Sequence, residues 1–298
     1  MRSLDQAPLN SIAPKRDRIL GHPVNALGND EAIATIVQRA LEGRPGAYVC
    51  LTNVATTMLS QKSSGLRTAA EGSYVSTPDG MPLVWILRRR GHVGTEKLTG
   101  ADLMPKLAAA GRDVGLRHFM YGWTNRLSQA AGRGLAAAVP GTEVVGTHCP
   151  PFAGLHDPGP DDLDEPAATD RPLAPAWVDI GGRLTDVDWE LEALQKKLAE
   201  TKPHILWVGL GCPLQEEWMA MVAGRLDVPV MIGVGRAFNY TAGSLRRCPQ
   251  WMINTGLEWL YTFLAEPRRL WRRYILGNAH FTYLLARQAL VSKFARAD

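Results

Sequence analysis

The chain has 298 residues, a net charge of +4, 46% hydrophobic and 21% charged residues. These values exclude wholesale disorder, collagen-like repeats and coiled coils, and fit one large α/β domain or two small ones. Four scattered cysteines with no CxxC pair exclude a disulfide scaffold or zinc ribbon and fit reduced thiols in the cytoplasm.

The chain opens on a polar leader, residues 1–17, with no apolar h-region of a signal peptide. An α/β body over 18–243 follows. Its apolar runs alternate with helical stretches. Ala47–Thr52 reads as a strand, Val54–Glu71 as a helix, Tyr74–Thr77 as a short strand, and Met81–Arg90 as a helix. Thr99 starts another helix, with Asp102 in its first turn. Leu116–Tyr121, Glu143–Thr147, Ile205–Leu210 and Val228–Val234 read as further strands, and Asn125–Ala138 and Pro213–Leu226 as helices. Such alternation predicts a Rossmann-like, mainly parallel sheet with flanking helices, binding ligands beyond the carboxyl ends of its strands. Residues 150–188 hold seven Pro and eight Asp and read as a solvated insertion.

From Ser244 the pattern is purely helical, punctuated by Pro249 and Pro267 into about three helices. This tail, 244–298, carries nine basic residues against three acids, so it is +6 and the remainder −2. It also holds nine Trp, Tyr and Phe. Arg268, Arg269, Arg272 and Arg273 form a basic stripe on a helix beside Leu270, Trp271 and Tyr274. That stripe suits an anionic membrane surface or a diphosphate; a solvated face over packed aromatics is the bland alternative. No uncharged apolar run reaches the ~18 residues of a membrane span. Nucleic acid is not expected as a partner.

Four strand ends carry polar or glycine-rich residues. Thr52 and Asn53 can hydrogen-bond a ligand, or cap the next helix. Asp79, in Thr77-Pro78-Asp79-Gly80, sits where a general base would face a cleft, though Pro-Asp-Gly is also a common turn. Gly209-Leu210-Gly211-Cys212-Pro213-Leu214-Gln215-Glu216 runs from a strand into a helix start, which attracts phosphate. It lacks the third glycine of the dinucleotide fingerprint. Gly233-Val234-Gly235-Arg236 ends another strand beside a cation. Asp162-Leu163-Asp164 is formally a DxD but lies in the Pro/Asp-rich insertion, and the seven His show no metal-ligand spacing.

Seven ordered blocks together resemble the WecG/TagA/CpsF family of bacterial glycosyltransferases. They are Asn53; Asp79-Gly80; Lys97-Leu98-Thr99-Gly100-Ala101-Asp102-Leu103; Val208 through Glu216; Gly233 through Asn239; Arg247-Cys248-Pro249; and Glu258-Trp259 through Glu266-Pro267-Arg268-Arg269-Leu270-Trp271-Arg272-Arg273-Tyr274. The resemblance runs from about Arg18 to Ile275. It departs from the family pattern at Lys97 (family Arg), Leu51 (Thr), Arg236 (Gly), Asn239 (Asp) and Thr262 (Arg). It implies an inverting, metal-independent enzyme with no cofactor. Such an enzyme moves a hexose, often N-acetylmannosamine, from a UDP-sugar to a polyprenyl-diphosphate-linked sugar at the cytoplasmic face of the membrane. Asp79 is then the candidate base. The expected substrate-binding set is Thr52, Asn53, Lys97, Thr99, Gly100, Gly209, Gly211, Gln215, Glu216, Gly233, Gly235 and Arg247, with Arg268, Arg269, Arg272 and Arg273 at the diphosphate and membrane. A nucleotide-binding oxidoreductase and an inactive membrane-associated scaffold of polysaccharide assembly are the alternatives. The oligomeric state is left open, a homo-oligomer included.

Overall fold

The computed structural model describes residues 16–150, 188–265, 267–271 and 275–294. Nearly all of the leader and of the Pro/Asp-rich segment, with its DxD, lies outside the described residues. In chain order the elements are β1 (Arg16–Ile19), β2 (His22–Asn25), α1 (Asn29–Leu41), β3 (Ala47–Thr52), α2 (Val54–Ser60), α3 (Ser64–Gly72), β4 (Val75–Pro78) and α4 (Met81–Arg89). Then come α5 (Gly100–Arg112), β5 (Arg117–Gly122), α6 (Asn125–Ala138), β6 (Glu143–His148), α7 (Asp188–Thr201), β7 (Ile205–Gly209), α8 (Leu214–Val222) and β8 (Val230–Gly233). The C-terminal part is helical: α9 (Ala237–Thr241), α10 (Gln250–Thr255), α11 (Glu258–Ala265), α12 (Pro267–Trp271) and α13 (Gly277–Phe294).

Six strands form one parallel sheet in the order β4-β3-β8-β7-β5-β6, the doubly wound α/β arrangement expected from the sequence. Both faces of the sheet are covered, which is why its central strands read as unbroken apolar runs. Side chains alternate between the faces. Val49 and Leu51 of β3, Ile205 and Trp207 of β7, and Ile232 of β8 pack against α1, α5 and α6. Tyr48, Cys50, Leu206, Val208 and Met231 pack on the other face against α7 and α8. β1 and β2 form a separate antiparallel hairpin, turned through Leu20 and Gly21, both at positive φ as a tight two-residue hairpin requires.

Short polar side chains start four of the helices. Asn53, Ser63, Thr99 and Thr124 each accept a hydrogen bond from the backbone N–H three residues on, satisfying a donor that has no partner inside the helix. The cap at Ser63 also explains one difference from expectation. The single helix predicted over Val54–Glu71 is two, because the chain stops at Gln61 and restarts at the Ser63 cap. The Pro213 helix likewise ends at Val222, four residues short of Leu226.

The tail is not a detached appendage. Phe281 of α13 is 4% exposed and joins Ile19, Val24, Leu83 and Leu87 in a third apolar cluster, with Leu285, Val54 and Met58 around it. α13 thus packs on α2, the helix that follows the first strand end of the cleft.

Candidate active site

At the carboxyl ends of β3, β4, β7 and β8 the turns leave a cleft of about 460 Å³. This is where an open parallel sheet places its ligands. One wall comes from β3, β4 and the start of α5. The opposite one comes from the turns after β7 and β8, and the tail contributes Arg247, Glu258 and Trp259.

Asp79 follows β4 directly. Its backbone N–H donates to the Thr52 carbonyl at 2.7 Å, so the parallel ladder carries on one residue past β4 and fixes the carboxyl against β3. Asn53 Nδ2 donates to Asp79 Oδ2 at 3.2 Å, while Asn53 Oδ1 caps α2 by accepting from Thr56 N at 3.1 Å. The cap read from the sequence for Asn53 is therefore present, and the same side chain holds Asp79 in the cleft. Burial pushes the Asp79 pKa up to about 7; the Asn53 hydrogen bond and Lys97 oppose that shift, and Glu258 and Asp102 add to it. A carboxyl poised near neutrality at a rigid strand end has the proton affinity that general-base chemistry needs.

The turn after β7 is organised by Gln215. Its Oε1 accepts from Gly211 N at 3.1 Å, and its Nε2 donates to Glu216 Oε1 at 2.9 Å. Gly211 has φ +76° and Gly235 φ +52°, conformations that glycine adopts without strain. Gly233 makes room for Gln215, since a Cβ there would stand 3.0 Å from Gln215 Nε2 and 2.8 Å from the Met219 methyl. Glu216 is buried, and its carboxyl is pushed up by that burial.

On the opposite rim, four charged side chains join body and tail. Thr99 Oγ1 donates to Asp102 Oδ2 at 2.6 Å, and Arg247 Nη1 donates to Asp102 Oδ1 at 2.8 Å. Arg247 Nη2 lies 3.5 Å from Glu258 Oε1, and Lys97 forms an ion pair with Glu258 and donates to the Ile253 carbonyl at 3.2 Å. Burial alone would raise the Asp102 pKa, but hydrogen bonds from Arg247 and Thr99 outweigh it and the net shift is downward. Gly100 is needed beside this group, since a Cβ would meet the Val234 carbonyl at 3.0 Å and Ala237 at 3.1 Å.

Of the residues expected from the sequence, Asn53, Asp79, Lys97, Thr99, Gly100, Gly211, Gln215, Glu216, Gly233, Gly235 and Arg247 line this one cleft. Three do not. Thr52 is fully buried on the far side of β3, sharing hydrogen bonds with Ser76 Oγ (2.7 Å) and His22 Nε2 (3.1 Å). The two-residue period of a strand turns it away from the cleft while Leu51 and Asn53 face it. Gly209 packs against Phe238, where a Cβ would stand 2.8 Å from the ring. Arg268 is exposed on α12 and does not line the cleft. Arg269 also lies on α12, and Arg272 and Arg273 lie outside the described residues. Glu258, Tyr240 and Trp259 line the cleft although they were not among the expected contacts. The glutamate was visible in the tail block, but nothing local says that a helix start in the tail faces Lys97.

The sequence matches the glycosyl transferase WecG/TagA/CpsF family over residues 18–295. It is similar to a Bacillus subtilis protein named N-acetylglucosaminyldiphosphoundecaprenol N-acetyl-beta-D-mannosaminyltransferase, 22% identical over 233 residues, covering 78% of this chain and 77% of that one. A Staphylococcus aureus (strain NCTC 8325 / PS 47) protein of the same name is 34% identical over 86 residues, covering 29% of this chain and 34% of that relative.

Proposed function

Because the chain belongs to the glycosyl transferase WecG/TagA/CpsF family, we propose that it transfers a hexose from a UDP-sugar to a polyprenyl-diphosphate-linked sugar, with Asp79 as general base and with inversion. The relatives' names supply the chemistry of the acceptor and make N-acetylmannosamine the first donor sugar to try. The observation that carries the reading is the Asp79 carboxyl, held by Asn53 on the cleft floor with its pKa near 7.

In this reading the chemistry is a single displacement. An acceptor hydroxyl seated at Asp79 gives its proton to the carboxylate as its oxygen attacks the anomeric carbon. The bond from that carbon to the donor phosphate breaks on the opposite side, and UDP leaves with the electron pair. Negative charge builds on the departing diphosphate, and preorganised cations near that point lower the barrier. Lys97, Arg247 and Arg236 are the cations in the cleft lining. They supply this electrostatic work without a metal, and activity is expected to survive a chelator. Asn53 orients Asp79, and Gln215 holds the β7 turn against the substrate.

The tail adds the route to a lipid-linked acceptor. Among the described residues no helix is long and apolar enough to cross a membrane. The tail nevertheless exposes Trp251 (60%), Leu264 (66%) and Trp271 (43%), and Arg268 on α12 is exposed as well. Indole rings and basic side chains are the pair that suits the anionic interface. The enzyme would thus sit peripherally on the inner face of the membrane.

The test is transfer from a panel of UDP-sugars to a polyprenyl-diphosphate-linked N-acetylglucosamine, with and without EDTA. Asp79→Asn is isosteric and should lower kcat by about 10²–10⁴-fold, the range of general-base catalysis, with the melting temperature unchanged or raised. Near-normal turnover by Asp79→Asn would sink the assignment of the base; no transfer from any UDP-sugar would sink the donor. An intact cleft with a base near neutrality favours an active enzyme over an inactive scaffold.

A further inference from the structure

Two of the three cations lining the cleft proposed to bind a diphosphate are already paired with carboxylates. Lys97 pairs with Glu258, and Arg247 pairs with Asp102 at 2.8 Å and with Glu258 at 3.5 Å. Two cations against two carboxylates leave this group neutral. A diphosphate entering a neutral group gains little attraction unless one carboxylate gives way.

The two carboxylates are not held alike. Asp102 accepts from Thr99 Oγ1 and from Arg247 Nη1, and sits in the first turn of α5, where the helix dipole favours it. Glu258 is about as exposed as Asp102 (28% against 26%) but is held by the Lys97 ammonium and, more loosely at 3.5 Å, by Arg247, and among the described residues no hydroxyl donates to its carboxylate as Thr99 does to Asp102. It lies in the first turn of α11, so a carboxylate released from Lys97 still rests in a favourable helix-start field. Its departure would not undock the tail. Lys97 keeps the Ile253 carbonyl of α10, Arg247 keeps Asp102, and Phe281 stays in its apolar cluster.

We propose that Glu258 is an exchangeable carboxylate that holds Lys97 and Arg247 in the empty cleft and yields both to the donor diphosphate on binding. It is a positioning residue, keeping the two cations ordered and aimed between turnovers. It also acts for specificity, since a ligand without a compact anion cannot displace it. The inference rests on the reading of this cleft as a nucleoside-diphosphate site.

Removing the competitor should tighten binding, which loss of a merely structural contact would not do. Glu258→Gln keeps the shape and removes the charge. It is expected to bind UDP about five- to tenfold more tightly by calorimetry, the scale of one partly buried charge competitor. Uridine, which has no phosphate, should bind equally to both proteins. The gain should vanish when Lys97→Gln is present in both members of the comparison. Glu258→Asp, which retracts the carboxylate, should show a smaller gain, and it decides the matter if Glu258→Gln does not fold. UDP affinity that is unchanged or weaker in a folded variant overturns the exchange, as does an equal gain for uridine. If neither the parent protein nor the variants bind UDP, both the exchange and the nucleotide reading fall. If the parent binds UDP and the variants show no gain, the exchange alone falls.

Discussion

Asn53 offers the most discriminating test of the Asp79 chemistry, because the structure gives it two separable tasks. Its Nδ2 donates to Asp79 Oδ2 at 3.2 Å, a bond that favours the ionised carboxyl, and its Oδ1 caps α2. Asn53→Ala removes both. Loss of a hydrogen bond to a charged group is worth about 1.5 kcal/mol at the lower end, close to a tenfold change in proton affinity. With Asp79 near 7, about half of the carboxyl is ionised at pH 7 in the parent protein. The acidic limb of the kcat profile should therefore move up by about one pH unit, with kcat down about fivefold at pH 7 and restored near pH 9. Loss of the cap should cost about 1 kcal/mol of stability. Asn53→Ser separates the effects: serine caps well but cannot reach Asp79, so stability holds while the limb still moves. The assay is kcat against pH at saturating substrates, alongside denaturant titration. An acidic limb that stays put in both variants, or moves down, refutes the account of how Asp79 is tuned.

Three further outcomes are expected. His22 and His118 are buried, and desolvation lowers both pKa values to about 4. Their folded values lie below the unfolded one, so the unfolded chain takes up more protons and stability is lost as pH falls from about 6.5 toward 4, by up to about 3 kcal/mol for each. Replacing His118 with Phe should flatten that dependence in denaturant titrations at pH 7 and 4.5, and an equal slope would count against it. Phe281→Ala should cost about 3 kcal/mol by emptying its place beside Leu83 and Leu87, and should expose α13 to limited proteolysis before the body is cut. Changing Trp251, Leu264 and Trp271 together to Ser should reduce binding to anionic vesicles with melting temperature unaltered; undiminished binding removes these residues from the membrane contact.

Much of the fold was legible because parallel strands buried on both faces announce themselves as apolar runs. Ile205–Gly209 and Ala47–Thr52 needed only their hydrophobicity, and Asn125–Ala138 its helical pattern. Errors arose where a local rule met a neighbour. Thr52 looked like a ligand contact because it ends a strand, but alternation turns it toward Ser76 and His22. Gly209 looked like a phosphate-loop glycine, yet it makes space for Phe238. The body side of the cleft was readable because each strand end carries its own polar or glycine signature. Glu258 was not readable as a cleft residue, since its partner Lys97 is 161 residues away and pairing at that distance leaves no periodic trace.

The strand order has a consequence for how the chain is made. Of the six strands of this sheet β8 is the last to be synthesised, yet it lies inside the sheet between β3 and β7. Until residue 233 leaves the ribosome, β3 with β4 and β7 with β5 and β6 are half-sheets, each with an open edge waiting for the same strand. Such edges are sticky. The short span from β7 to β8 through a single helix, α8, keeps that exposure brief, whereas lengthening it would prolong the period when two nascent chains can pair wrongly. The cleft is complete only once the first tail helices have followed β8, since Arg247, Glu258 and Trp259 are part of its lining.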